Sequence, residues 1–307
     1  MKTAAVRNSR AEGITIRYYD GADAQSTGKE PMRLHQMADQ ERFRRMTTKE
    51  LRETFLIDNL FHPGGVSSVY VDLDRTIIGL AVPLDQPLNL GTYDELKTTY
   101  FTERRELGVL NIGNPGSILV GEQRYELDKF SCLYIGRGNP TVSFESADPQ
   151  NPAEFYLLSY PAHASYPTAL VRKSELEAAD LGAPESSNKR RIRKCIHAAG
   201  IKSCQIVMGF TELQVGSVWN TMPPHTHMRR SEVYLYFNIP EKERVVHLMG
   251  PGNETRHLVV ANKEAVVSPG WSIHAGVGTA SYTFCWGMGG ENQAYNDMDP
   301  IAISELI

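Results

Sequence analysis

Three things are scarce in this chain of 307 residues. Cysteine is the first: Cys132, Cys195, Cys204 and Cys285 are scattered and form no CxxC pair. That spacing excludes a disulfide framework and points to reduced, mostly buried thiols. Long apolar runs are the second. None approaches the ~18 residues that a membrane span needs, so no membrane partner is expected. Basic charge is the third. Lys and Arg number 32 against 36 Asp and Glu, a net charge of −4 without a long run of either sign. A mildly acidic chain with no basic stripe is a poor ligand for nucleic acid. The opening residues also lack the apolar stretch of ~7–15 residues of a secretory leader, and the cytoplasm is the expected compartment. No P-loop occurs, and no GxGxxG follows a strand, so a nucleotide cofactor is not signalled.

What is present is ordinary in amount: 41% apolar and 22% charged residues, which excludes a disordered or coiled-coil chain. The length fits one large or two medium domains. Residues 1–36 are polar and irregular and read as an N-terminal extension. Thr47 and Glu50 then fit a capping box, and Leu51, Phe55 and Ile57 to Leu60 predict a packed helical side. From about residue 62 the texture changes to short apolar segments, among them TIIGLAV, ELGVLNI and EFYLLSY, divided by Gly, Pro, Asn and Asp. This is the spacing of an all-β sandwich or barrel. Residues 166–194 are polar, Pro-containing and charged, with a short helix opening at Ser174, and read as a linker. Strand-like segments then resume. The expected division is therefore a first β domain over 37–165 and a second over 195–307.

The two halves echo each other. TERRELGVLNI (102–112) resembles THMRRSEVYLYFNI (226–239) when gaps are allowed. Aligning Glu106 with Glu232 sets Thr99 and Phe101 opposite His225 and His227. A duplicated first half would then lack the histidines of the second.

Those histidines carry the chemistry. His225 and His227 are two apart, so on a strand both rings leave one face. Glu232 follows at an odd spacing, and a turn at Met228–Arg230 must intervene for it to point back at them. His274 is the fourth candidate, just after the turn expected at Pro269-Gly270. Three imidazoles and a carboxylate suit Zn²⁺, Fe²⁺, Mn²⁺ or Ni²⁺.

HxH-x4-E followed by PG-x3-H inside a β-rich region resembles the two motifs of the cupin superfamily, G-x5-HxH-x3,4-E-x6-G and G-x5-PxG-x2-H-x3-N. Gly216 lies nine residues before His225 instead of six, and PGWSIH replaces PxGxxH; neither departure touches a ligand. Longer phrases, among them WNTMPPHTHMRRSEVYLYFNI, SPGWSIHAGVGT and TFCWGMGGENQAYNDMD, resemble the family of 5-keto-4-deoxyuronate isomerases, over roughly residues 33–307. The resemblance implies an all-β chain of two tandem cupin (jelly-roll-like) barrels with a few short helices. It implies one Zn²⁺ per subunit, held in the C-terminal cupin by His225, His227, Glu232 and His274, and a homohexamer. The implied reaction interconverts 5-dehydro-4-deoxy-D-glucuronate and 3-deoxy-D-glycero-2,5-hexodiulosonate in pectin and uronate breakdown. Alternatives are the related 5-deoxy-glucuronate isomerases of inositol catabolism, an Fe²⁺ or Ni²⁺ cupin dioxygenase, or a sugar-binding cupin without turnover.

Such an isomerisation needs a Lewis acid to polarise a carbonyl or hydroxyl and a base to move a proton between neighbouring carbons. Glu232, Tyr234 and Tyr236 share one strand face, so both tyrosines are candidates for proton relay or, alternatively, plain barrel filling. Val233, Leu235 and Phe237 occupy the other face and predict packing on the other cupin or on another subunit. For the substrate's carboxylate the candidates are Arg256, Arg229, Arg230 and Arg191. Glu254, Asp297 and Glu291 are candidate bases among which the sequence does not choose. His247 and His257 read as structural, and the first cupin as scaffold and interface.

Overall fold

Strand after strand in this chain sets apolar side chains at alternate positions, and the Gly- and Pro-rich breaks let the chain reverse between them. A computed structural model describes residues 32–307; the extension expected over 1–36 lies outside the described residues up to residue 31, and its last part is not irregular, because Met32 is buried in the first barrel and Arg33–His35 pairs in parallel with Val66–Val71. Four main sheets result. The first has seven strands in the order Arg33–His35, Val66–Val71, Thr76–Ala81, Phe155–Pro161, Arg105–Asn111, Cys132–Ile135 and Ala169–Val171. A four-stranded sheet of Leu88–Asn89, Val142–Ser146, Gly116–Val120 and Gln123–Leu127 closes against it. Leu107, Val109, Ile118, Phe144 and Phe155 fill the space between these two sheets.

The second half repeats the plan. Its large sheet runs Ala178–Leu181, Arg190–Ile196, Val207–Leu213, Thr283–Gly290, Arg230–Phe237, Glu264–Ser268 and Leu56–Ile57. Its small sheet runs Trp219–Asn220, Ile273–Gly278, Val245–Gly250 and Arg256–Val260. The two large sheets pack face to face. Val233, Leu235 and Phe237 join Leu110, Leu158 and Tyr160 in one buried cluster, so the outer face of the Arg230–Phe237 strand packs on the other barrel, as its bulk predicted. Close packing there leaves no room for side chains at some positions. A Cβ on Gly287 would come within 2.1 Å of Leu158 Cδ2.

Three further placements differ from expectation, each for a tertiary reason. The helical segment precedes the first barrel in sequence but packs on the second. Phe43 and Phe55, from helices α1 (Gln40–Phe43) and α2 (Thr48–Phe55), meet the Trp271 ring at 5.2 and 6.4 Å between centroids. The helical side also stops at Phe55, because Leu56–Ile57 turns into a strand paired with Glu264–Ser268. Residues 166–194 are more than a linker. Ala169–Val171 adds an edge strand to the first barrel, and Ala178–Leu181 with the start of Arg190–Ile196 adds two to the second. The helix expected at Ser174 is a single 3-10 turn, Lys173–Glu175.

Glu106 gives the third difference. It does not enter the first lumen beside Leu107 and Val109 but points between the barrels. There its carboxylate accepts bonds from the Tyr134 hydroxyl and from the amides of Cys204, Gln205 and Ile206. A one-residue offset from Glu232 is enough, since successive strand side chains leave opposite faces.

The capping box of α2 forms as predicted. The Glu50 amide donates to Thr47 Oγ1 at 3.3 Å and the Thr47 amide to Glu50 Oε2 at 2.7 Å. Thr47→Ala is expected to lower stability by about 1 kcal/mol in chemical denaturation, with bound metal unchanged. A loss above ~3 kcal/mol would contradict a purely local cap.

Candidate metal centre

The four ligand candidates come from three places on the second barrel, and turns bring them together. His225 lies on the two-residue strand His225–Thr226, which pairs with Asp299–Pro300. The chain then reverses, with the Arg230 amide donating to the His227 carbonyl, and Glu232 enters the lumen from the Arg230–Phe237 strand. His274 arrives from the small sheet on the Ile273–Gly278 strand. The Pro269–Ser272 turn before it docks on the histidine pair, where the His227 amide donates to the Gly270 carbonyl at 3.3 Å. Gly270 is required by that approach: a Cβ would stand 2.9 Å from the His227 carbonyl oxygen and the Met228 backbone.

The ligand atoms of all four residues lie within 4.8 Å of one another. Glu232 Oε2 is 2.9 Å from His227 Nε2 and 3.0 Å from His274 Nε2, and the Nε2 atoms of His274 and His225 are 3.1 Å apart. Ligands about 2.1 Å from a common ion lie about 3.0 Å apart at right angles and at most about 4.2 Å apart, so the three close pairs have the spacing of a divalent ion's ligands and the whole set needs only a small contraction to close on one. The tautomers fit as well. His227 Nδ1 donates to the Arg230 carbonyl at 3.0 Å, which leaves its Nε2 lone pair facing the cluster.

Electrostatics favour the ligand-competent forms of Glu232 and His225, while in the metal-free cluster His227 leans toward the protonated form that an ion would displace. Burial opposes ionisation of Glu232, but the His274 and His227 rings outweigh it and hold the carboxyl well below the usual carboxylate range. Burial, with the neighbouring His274, lowers His225 to about 3, so this ring is neutral at any working pH. Burial also disfavours a charge on His227, but its bond to Glu232 wins and raises it.

Beside the cluster opens a cavity of about 390 Å³, lined among others by His225, Glu232, Tyr234, Arg190, Lys194 and Trp286. Tyr234 stands in its wall with its ring 5.4 Å from that of His274 and its hydroxyl 2.9 Å from Thr221 Oγ1. Tyr236 is deeper and fully buried, its hydroxyl 2.8 Å from His247 Nδ1. Burial pushes both phenols up, so each stays protonated and can donate a hydrogen bond but not act as a base.

The arginines sort differently from expectation. Arg256 is not brought to the cavity. It sits where the helical segment covers the barrel, and its guanidinium donates to the carbonyls of Arg44 and Met46 just after α1. The carbonyls at a helix end lack intrahelical partners, and a cation satisfies them. Arg191 pairs with Asp180. Arg230 does line the cavity, but Asp297, Asn292 and the Ala294 carbonyl hold its guanidinium. Arg229 and Glu291 line a separate hollow of about 880 Å³, and Glu254 pairs with Arg44. His247 is a buried partner of Tyr236, as a structural histidine should be. Missed from the sequence were Arg190 and Lys194, hidden in a stretch read as the end of a linker; the alternation in RRIRKCI was the available signal. In the first barrel the described residues hold no cluster of three metal-binding groups, and Phe101 is part of its apolar filling.

Comparison with known proteins agrees with this architecture. A 4-deoxy-L-threo-5-hexosulose-uronate ketol-isomerase of Caldicellulosiruptor bescii is 50% identical over 264 residues, 86% of this chain and 96% of its own. One of Shouchella clausii is 52% identical over 264 residues, again 86% of this chain and 96% of its own. The crystal structure of an IolB-like protein from Salmonella typhimurium LT2 matches with a TM-score of 0.65 over 81% of this chain and 97% of its own, at 12% identity. That last likeness is one of fold, and the all-β tandem-barrel architecture is the cupin fold the motifs implied. Residues 58–303 match as a unit, and with half of all aligned positions identical to such relatives the chain belongs to the KduI/IolB family.

Proposed function

We propose that this protein is a 4-deoxy-L-threo-5-hexosulose-uronate ketol-isomerase, interconverting 5-dehydro-4-deoxy-D-glucuronate and 3-deoxy-D-glycero-2,5-hexodiulosonate in uronate catabolism. The observation that carries the reading is the convergence of His225, His227, Glu232 and His274 beside a cavity of about 390 Å³, in whose wall His225 and Glu232 stand. Relatives named for this activity share half the sequence, and the cavity is of small-molecule size. Zinc is the ion we assign, because a three-imidazole, one-carboxylate set suits it and the reaction is redox-neutral. The same reading takes the enzyme as a cytoplasmic homohexamer with one ion per subunit. For the compartment it is supported by the buried free thiols Cys132, Cys195 and Cys285. No described helix is long and apolar enough to cross a membrane.

The reaction moves one proton from C2 to the C1 aldehyde carbon and another from the C2 hydroxyl to the carbonyl oxygen. When bound, the ion would supply Lewis acidity to the oxygens of that pair of carbons. The chain's own contributions are positional. Tyr234, protonated and oriented by Thr221, is placed to donate a hydrogen bond to a substrate oxygen beside the quartet. Tyr236 and His247 brace it from below, with the Tyr234 and Tyr236 rings 6.0 Å apart edge to face. Trp286 and Phe284 wall the cavity and limit water beside the reacting carbons.

Purified protein should contain about one equivalent of zinc and convert the keto-uronate, with 5-deoxy-glucuronate a poor substrate. An iron-loaded protein that consumes oxygen and leaves the keto-uronate untouched would overturn the reading.

A further inference from the structure

The strand Arg190–Ile196 carries four cations in five positions, Arg190, Arg191, Arg193 and Lys194, and the strand period divides them. Arg191 and Arg193 leave one face, where both are neutralised. Arg191 makes a two-pronged pair with Asp180 at 2.7 and 2.8 Å, and Arg193 pairs with Glu212. Arg190 and Lys194 leave the other face, into the cavity beside the metal-binding quartet.

These two have no acidic partner among the described residues. Arg190 is half-buried, and one of its five N–H donors is spent on the Asn188 carbonyl at 3.0 Å. Lys194 lies with its ammonium 4.0 Å over the Tyr295 ring. The other charged groups of the wall are committed elsewhere, Glu232 to the quartet and Arg230 to Asp297. A half-buried guanidinium without a counter-charge is costly for the free protein. Burial indeed lowers the Arg190 pKa, with no carboxylate to offset it. The cavity therefore holds two uncommitted positive charges on a wall formed by a different strand from those that carry the quartet.

Resting on the isomerase reading above, we infer that Arg190, assisted by Lys194, binds the carboxylate of the substrate and so sets which end of the sugar acid meets the quartet. In 5-dehydro-4-deoxy-D-glucuronate the carboxylate is C6, at the opposite end of the chain from the C1 aldehyde and C2 hydroxyl that react. A planar guanidinium with free donors can take that carboxylate through two parallel bonds, and the exposed ammonium adds attraction at the mouth. The aldehyde end is then left at the quartet. The pair also reconciles a chain of net charge −4 with an anionic substrate, because the local field in the cavity is positive. Arg190 and Lys194 are positioning and specificity residues: they touch the end of the substrate that does not react.

The test compares acid with neutral ligand on metal-loaded and metal-free protein. For the loaded enzyme, Arg190→Met is expected to lower kcat/KM for the keto-uronate about 30- to 100-fold, mostly through KM, and Lys194→Met several-fold. Metal content should stay at the wild-type level in both. Arg190→Lys should recover part of the loss. For wild type, methyl esterification of the substrate should cost a similar factor, and the Arg190→Met/Lys194→Met protein should no longer distinguish ester from acid. For metal-free protein, calorimetry with D-glucuronate and with D-glucose as the uncharged control should give preferential binding of the acid, lost in the double variant. A wild-type protein that handles ester and acid alike overturns the inference whether or not the variants fold. So does an Arg190→Met KM within twofold of wild type. If the loaded wild type turns over no keto-uronate yet still prefers glucuronate through Arg190, the isomerase reading falls and the anion site stands.

Discussion

Replacing His225 by alanine is expected to abolish isomerisation, with kcat/KM falling by about 10³-fold or more, and bound metal should fall with it. The ring supplies one of four converging ligand atoms, its Nε2 only 3.1 Å from that of His274. Loss of a ligand should cost more than the 10- to 100-fold typical of changes one layer further out. The ion would supply several kcal/mol of charge stabilisation in the transition state, and each 1.36 kcal/mol is a factor of ten in rate. The fold should survive, because His225 is only partly buried and its strand is two residues long. The unfolding midpoint of metal-free variant and metal-free wild type should therefore agree within a few degrees. Chelation of the wild type should reproduce the variant's loss, and a divalent ion should restore the chelated wild type alone. Acidification should act in the same direction, since protons compete for the imidazole lone pairs that would hold the ion. A His225→Ala protein with full metal content and full rate would remove this cluster from the mechanism.

The quartet was legible in the sequence because its geometry is mostly local. His225, His227 and Glu232 fall within eight residues, and the turn that reorients Glu232 was forced by the odd spacing. The alternation that sets Tyr234 and Tyr236 against Val233, Leu235 and Phe237 was equally local, and its consequence, one face in the lumen and one in the packing between barrels, is observed. What the sequence concealed depends on partners distant in the chain. Arg190 and Lys194 look like solvated charges until strand pairing fixes which face of RRIRKCI turns inward. Arg256 looked like a carboxylate clamp because nothing in its neighbourhood announces that residues 44 and 46, about 210 positions earlier, will occupy it. The helical segment was counted with the first domain, 37–165, yet its apolar side is buried on the second barrel by Trp271, and the Leu56–Ile57 strand that follows pairs with Glu264–Ser268.

Glu106→Gln is expected to destabilise the protein by about 3–5 kcal/mol while leaving the metal centre intact. The wild-type side chain is fully buried, and its two oxygens accept four bonds. Oε1 takes the amides of Gln205 and Ile206 at 2.7 and 3.0 Å, and Oε2 takes the Cys204 amide at 2.7 Å and the Tyr134 hydroxyl at 2.8 Å. An ionised carboxylate is suited to this task because it accepts at every position and donates at none. Glutamine keeps one accepting oxygen but turns an NH₂ group toward two of the donors, at least one of which, a backbone N–H, must stay unpaired in a dry site. Glu106→Leu, which strands all four donors, should cost more than Gln. The strand that carries Glu106 belongs to the first barrel, and the amides belong to the segment leading into the Val207–Leu213 strand of the second. Separations of 98 to 100 residues along the chain are thus closed by one carboxylate. The loss should therefore appear as a lower unfolding midpoint of the whole chain, not as fraying of a loop. Protein folded at 25 °C should keep its metal and most of its activity, because none of these groups lines the cavity beside the quartet. Denaturation midpoints of the Gln and Leu variants within 1 kcal/mol of wild type would mean that the carboxylate is incidental to the joining of the two barrels.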